Sequence, residues 1–280
     1  PGLQFFANYR ENLRAPTVME AMFKGMHIGD QPVTYFSNAN LKAEEVETKE
    51  VGVNFMFDNV IKQGDGFRAK LSYYRSTIDN YTTVGFVPLP SLPSVNWPSV
   101  GAGMVNLSDP VYMTGTELEA FYDAGEYYFG GTLTTSDIDL IGNYNQFILD
   151  TTYSTAAQNA ATYGTVGGLF GIYAPPKRKY TLDGGFRLFD QDLVLGMRAT
   201  FVYPEENYGS QVGSVSLSTV GGEYYKYRVF DFYSSYDIND AVKLRFAVNN
   251  LFDEGYVQGS GGTYAPAPGR TAIISLSGNF

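Results

Sequence analysis

The chain has a single histidine and no cysteine, which bounds its possible chemistry quickly. His27 lies in Gly25-Met-His-Ile-Gly29, where the flanking glycines leave the imidazole sterically clear. A neutral imidazole can ligate a transition metal or act as a general base. Base catalysis needs a nucleophile or an activated water beside it. Apart from Asp30, no serine or paired aspartate adjoins His27, so enzymatic activity is not expected. Metal ligation and a merely solvated loop side chain remain. The lack of cysteine excludes thiolate metal sites and a disulfide framework. Glu117 with Glu119, and Asp137 with Asp139, suggest carboxylate pairs or calcium. A spacing of two puts Glu117 and Glu119 on one face of a strand. A structural role is expected there, paired with another domain of the protein or with basic residues such as Arg187, Arg198, Lys243 or Arg245.

The elements that position these residues read as strands. Ten segments alternate apolar and polar residues, near 2–10, 46–57, 66–80, 111–121, 126–134, 178–189, 192–203, 224–237, 241–250 and 270–280. Leu193, Leu195, Met197, Ala199, Phe201 and Tyr203 share one face, opposite Val194, Gly196, Arg198, Thr200 and Val202. The last segment ends on Phe280, on the face of Ala272, Ile274 and Leu276. Short connections at 58–65, 123–125, 190–191 and 239–240 supply the Asp, Asn and Gly that tight turns use. The intervening connections, near 11–45, 81–110, 135–177, 204–223 and 251–269, are all long. A soluble sandwich has no reason to gather every long loop at one end, and loops beyond about 15 residues are uncommon in compact domains. The reading is all-β: a transmembrane up-and-down antiparallel β-barrel with short periplasmic turns and long extracellular loops. Pro16–Phe23 predicts a short helix with Pro16 near its start, and the proline-rich stretch 87–98 an extended one.

Composition agrees. Of 280 residues, 17% are charged and 16% aromatic, with 23 Tyr and 20 Phe. That charge fraction lies below the roughly 25% usual in soluble domains. No run approaches the roughly 20 apolar residues of a membrane helix. A net charge of -10 argues against nucleic acid as a partner. Residues 1–10 already read as a strand and no secretory leader precedes them, so a fragment of a longer protein is expected.

Three landmarks carry a resemblance. Leu13-Arg-Ala-Pro16 is followed by Asn38-Ala-Asn-Leu41; Asn249-Asn-Leu-Phe-Asp253 precedes Tyr256; and Pro268-Gly-Arg270 leads into the last strand. In this order the chain resembles the C-terminal part of the TonB-dependent outer-membrane receptors. The resemblance implies about ten C-terminal strands of a 22-stranded barrel, with the plug domain and energy-coupling segment lying outside residues 1–280. It also implies a bacterial outer-membrane location and lipid contact. Ten strands could alternatively close a small barrel or be a non-transporting remnant.

Within that family, haem and haemophore receptors carry a Phe-Arg-Ala-Pro box, a loop histidine and an Asn-Pro-Asn-Leu box. Here Leu13 and Ala39 depart from the boxes, and His27 lies between them. The resemblance implies that His27 is an axial ligand of haem iron, haem being the transported cargo. Met26 would give apolar contact to the porphyrin, Arg14 would hold the loop or meet a propionate, and Tyr35 is a weaker ligand candidate. A second ligand is expected from the plug. The implied partners are haem or a haem-carrying protein at the extracellular loops, and the TonB system. A ferric siderophore or another small nutrient is the alternative cargo.

Overall fold

A computed structural model describes residues 2–22, 24–27, 33–88, 100–107, 109–139, 176–203, 226–256 and 266–278. Fourteen strands and one short helix follow in order. Among the described residues they are β1 (Gly2–Arg14), α1 (Val18–Met22), β2 (Gly25–His27), β3 (Val33–Phe36), β4 (Glu44–Asp58), β5 (Gly66–Asp79), β6 (Thr82–Pro88) and β7 (Val100–Asn106), then β8 (Val111–Asp123), β9 (Tyr127–Asp139), β10 (Arg178–Leu188), β11 (Leu193–Tyr203), β12 (Tyr227–Asn239), β13 (Val242–Asn249) and β14 (Thr271–Gly278). Ten of them form one sheet in the order β1-β4-β5-β8-β9-β10-β11-β12-β13-β14, antiparallel throughout. These are the ten expected strands. No described helix is long and apolar enough to cross a membrane, which says nothing of crossing by strands. Phe280 lies outside the described residues.

Cross-strand register turns the alternation of each strand into two continuous faces. One row runs Phe5, Val53, Leu71, Leu118, Leu133, Tyr180 and Phe201. It continues the face of Phe232, Phe246 and Ile274. Phe5, Leu71, Ile274 and Leu276 are exposed on it. The other face carries the charges, and most find partners there. Arg198 meets Asp183 at 3.0 Å, Lys70 meets Glu50 at 3.3 Å, and Arg187 forks onto Asp123 with two contacts of 2.8 Å. None of the basic residues expected opposite Glu117 and Glu119 pairs with them. Arg187 and Arg198 are taken by the nearer Asp123 and Asp183, and Lys243 by Asp237 at 2.9 Å. Arg245 bonds Ser277 Oγ. Among the described residues neither Glu117 nor Glu119 makes an ion pair.

Glycines on the polar face make room for aromatic rings. Phe6 lies opposite Gly52, Tyr74 opposite Gly115, Tyr128 opposite Gly185, and Tyr233 opposite Gly196. Tyr233 Oη donates to Asp183 at 2.8 Å and shares a 2.7 Å bond with Tyr128 Oη. A Cβ on residue 196 would stand 2.3 Å from the Tyr233 ring. The ring cannot retreat without giving up both bonds. Gly196→Ala is therefore expected to cost about 1–3 kcal/mol, as overpacking does, read from the urea midpoint of the barrel in detergent. Adding Tyr233→Ala, which removes the ring, should make the alanine nearly silent.

The short turns all lie at one end. Asp65, 2% exposed, closes the first. It accepts the amides of Val60, Ile61 and Lys62 at 2.6–2.8 Å and the Tyr122 hydroxyl at 2.6 Å. Desolvation would raise its carboxyl, but these bonds hold it well below the usual carboxylate range. The β10–β11 turn puts Phe189, Asp190 and Gln191 in succession at positive φ, without a glycine.

A second sheet, unexpected from the sequence, stands at the long-loop end in the order β2-β3-β7-β6. It joins two loops. β2 and β3 belong to the loop between β1 and β4, and β6 and β7 to the loop between β5 and β8. The seam between them is a parallel pairing of Val33–Phe36 with Val100–Gly103. The predicted helix is present as α1. Of the proline-rich stretch, 89–98 lies outside the described residues.

Candidate functional site

The two sequence boxes fasten the base of this loop sheet. Arg14, at the end of β1, sits between two carboxylates. Nε and Nη2 donate to Glu44 at 2.6 and 2.7 Å, and Nη1 donates to both oxygens of Glu20 at 2.9 and 3.0 Å. Glu44, 7% exposed, also accepts the Thr82 amide at 2.8 Å. One guanidinium thus ties the end of β1 to α1, to β4 and to the start of β6. Glu20 is held in turn by a capping box. Its carboxylate accepts the Thr17 amide at 2.7 Å, and the Thr17 hydroxyl accepts the Glu20 amide at 3.2 Å. Desolvation would raise the Glu20 carboxyl, but the Thr17 amide and Arg14 draw it below its ordinary value.

The second box works from the other side. Asn38 accepts the Asn40 amide at 3.0 Å through its side chain, and its Nδ2 donates to the Met104 carbonyl of β7 at 3.0 Å. Its own amide donates to the Ala21 carbonyl at the end of α1. Below it, Asn106 donates to the carbonyls of Lys42 and Asn80 and accepts the Lys42 amide at 2.7 Å. Thr17, Glu20, Glu44 and Asn106 were not singled out from sequence. Thr17-Val-Met-Glu20 carried a readable signal, the spacing of a capping box. Glu44 and Asn106 are brought in by tertiary pairing alone.

From this base the sheet rises. Thr82 pairs with Asn106 near the rim, and six residues further out Pro88 pairs with Val100. Val100 pairs with Val33, and Val33 with His27. At about 3.3 Å per residue, His27 stands roughly 20 Å beyond the Thr82 level. Gly25 pairs with Tyr35. Arg14 is at the foot of the sheet, several rows away. Among the described residues no group of three or more His, Cys, Asp or Glu could hold a metal ion. A polar cleft of about 660 Å³ opens at the opposite, short-turn end, lined by Asp192, Asp237, Asp240, Lys243 and Arg245. It is remote from His27.

The second and third landmarks meet at one knot. Asn250 is 3% exposed and left-handed at φ 52°. Its Oδ1 accepts the Glu254 amide at 2.8 Å, and its Nδ2 donates to the Glu254 carbonyl at 2.9 Å and the Pro268 carbonyl at 3.5 Å. Its amide donates to Asp231 at 2.8 Å. Asp253 accepts the Arg270 amide at 2.7 Å, and Arg270 reaches back to the Leu251 carbonyl. Phe252 packs edge-on against Phe230 at 5.3 Å on the apolar face. Asn250, Phe252 and Asp253 thereby each have a structural reason.

A family model for the TonB dependent receptor-like beta-barrel matches residues 1–251. The Heme/hemopexin utilization protein C of Haemophilus influenzae is 34% identical over 85 residues, 28% of this chain and 12% of that protein. The Hemophilin receptor of Acinetobacter baumannii is 23% identical over 304 positions, covering 100% of this chain and 26% of that protein. A double mutant of the Serratia marcescens hemophore receptor HasR, solved with its hemophore HasA and heme, superposes with a TM-score of 0.70 at 25% identity, over 99% of this chain and 37% of that one. The chain thus spans at most 37% of these proteins. The ten-stranded up-and-down sheet, its apolar and charged faces, the knot before the last strand and a match over most of the sequence converge, and the chain belongs to the TonB-dependent receptor-like β-barrel family.

Proposed function

We propose that the chain is the C-terminal wall and part of the extracellular surface of an outer-membrane receptor that imports haem, taken from a haemophore or haemoprotein, and that His27 is an axial ligand of the haem iron. The apolar face meets lipid and the charged face lines the lumen, closed by further strands and a plug outside residues 1–280. TonB drives uptake through that remaining part; the wall itself does no chemistry. One observation carries the reading. The only histidine is raised about 20 Å beyond the rim on a hairpin that backbone pairing locks to a second loop, in a chain similar to receptors named for haem and its carrier proteins. A receptor competing with a carrier for iron needs such a ligand at its outer surface, and neutral imidazole suits haem iron. Tyr35, on the paired strand of the same hairpin, is a second candidate for iron or a hydrogen bond. Met26 supplies soft contact to the porphyrin, and Arg14 keeps the loop base in place.

The test uses the whole receptor that carries this chain. Haem titration should give a histidine-type Soret band, and His27→Ala should shift that band and weaken binding at least about tenfold. An unchanged band would remove His27 from the site. No haem binding by the unaltered receptor would favour a siderophore or another small nutrient.

A further inference from the structure

The methionines are unevenly placed. Three of the seven, Met19, Met22 and Met26, fall with the only histidine inside residues 19–27. We propose that Met19, Met22 and Met26 form a thioether site that binds Cu(I) at the long-loop end. Haem has no part in it.

Methionine ordinarily fills gaps in an apolar core. Met19 and Met22 do not. They are 67% and 61% exposed, whereas Glu20 and Ala21 on the same helix are half-buried. Nor do they belong to the apolar wall, because α1 follows the end of β1 and bonds Asn38 at the base of the loop sheet. A spacing of three puts both on one face of α1, with Cβ atoms about 5–6 Å apart. Two flexible thioethers close on one ion from that spacing. The helix that carries them is held at both ends. Its capping box and the Arg14 fork fix the start, and the Ala21 carbonyl accepts the Asn38 amide at 2.9 Å. A helix of five residues does not persist alone, so these bonds keep the pair in place. Met26 follows four residues after Met22, which holds its Cα within about 14 Å of that of Met22.

The donors select the ion. Thioethers are soft and uncharged, and soft ligands favour Cu(I) over hard cations. Carboxylates, which would suit calcium or magnesium, are engaged here: Glu20 and Glu44 both bond Arg14. The charges of Arg14, Lys24, Glu20 and Glu44 cancel, so no local field draws a divalent ion. His27 closes β2 one residue beyond Met26, and the three thioethers complete the set without it.

The whole receptor in neutral detergent is titrated with Cu(I), kept reduced by ascorbate, against bicinchoninate, whose Cu(I) complex is read by absorbance. The unaltered receptor should withdraw a single equivalent, and excess Zn(II) should not return it. Leucine keeps the volume and helix preference of methionine without its sulfur. M19L/M22L should therefore bind Cu(I) at least about tenfold more weakly, with the folded band and the haem Soret band unaltered. M26L should weaken Cu(I) in the same direction. M56L/M197L, the same change on β4 and β11, should leave Cu(I) binding as it is. X-ray absorption at the copper edge should show sulfur neighbours in the unaltered receptor that M19L/M22L loses. Equal affinity for M19L/M22L, or displacement by Zn(II), overturns the proposal. So does a loss of Cu(I) confined to His27→Ala, which would place the ion on the imidazole. His27→Ala also tests haem ligation, and M19L/M22L does not, so the two readings fail separately.

Discussion

Arg14→Ala is expected to free the loop sheet while leaving the barrel wall standing. The substitution removes four hydrogen bonds, to Glu44 and Glu20. Glu44 would keep the Thr82 amide but lose its one cation among the described residues, in a place that is 7% exposed. Breaking a buried pair from one side costs about 3–5 kcal/mol. Arg14 is itself partly exposed, so about 2 kcal/mol is the reasonable expectation here. That is enough to raise local opening by roughly thirtyfold. Hydrogen exchange should show it as faster exchange over Val18–His27 and Thr82–Pro88, with the β8–β13 amides unchanged. Haem affinity should fall with it, because His27 is no longer held. Two companions separate positioning from mere loss of charge. Arg14→Lys keeps the charge but cannot fork onto both carboxylates, and should recover only part of the protection. Arg14→Ala with Glu44→Gln removes the stranded charge while its carbonyl still accepts the Thr82 amide, and should exchange more slowly than Arg14→Ala alone. Uniform acceleration across all strands would refute this reading.

Asn250→Ala should strike the wall itself. Alanine loses the two bonds to Glu254 and the longer one to Pro268. It also occupies φ 52°, where an ordinary L residue costs about 1–2 kcal/mol and asparagine less. Each buried polar group left unpaired costs about 1–3 kcal/mol. Together these predict a loss of about 3–5 kcal/mol, seen as a large drop in the urea midpoint or as failure to give the heat-modifiable folded band. Asn250→Gly relieves the backbone cost and should recover about 1 kcal/mol. A midpoint within experimental error of the unaltered protein would mean that the knot does not hold the β13–β14 connection.

The ten wall strands were legible because a strand with one apolar and one charged face announces its period. Leu193–Tyr203 is read off directly. Their ends were less legible. β1 continues to Arg14 and β4 begins at Glu44, because there Glu11 and Glu45 interrupt the apolar positions and the alternation fades. The loop sheet was not legible at all. β2 and β3 are three and four residues long, and the seam to Val100–Gly103 joins segments far apart in sequence by parallel pairing. Nothing local encodes such a contact. The boxes around Arg14 and Asn38 were visible as landmarks, but their work was not. Residue identity marks a box, whereas the carboxylates and carbonyls that Arg14 and Asn38 engage come from elsewhere in the chain. His27 was visible because it is unique, and its height above the rim needed the register.

The parallel seam also sets what can be exchanged between receptors. Residues 11–43 transplanted alone into another barrel would carry β2 and β3 without β7, the strand that supports them. The exchangeable module is the two loops together, 11–43 with 80–110. An insertion in either one can be accommodated only where it leaves Val33–Phe36 in step with Val100–Gly103.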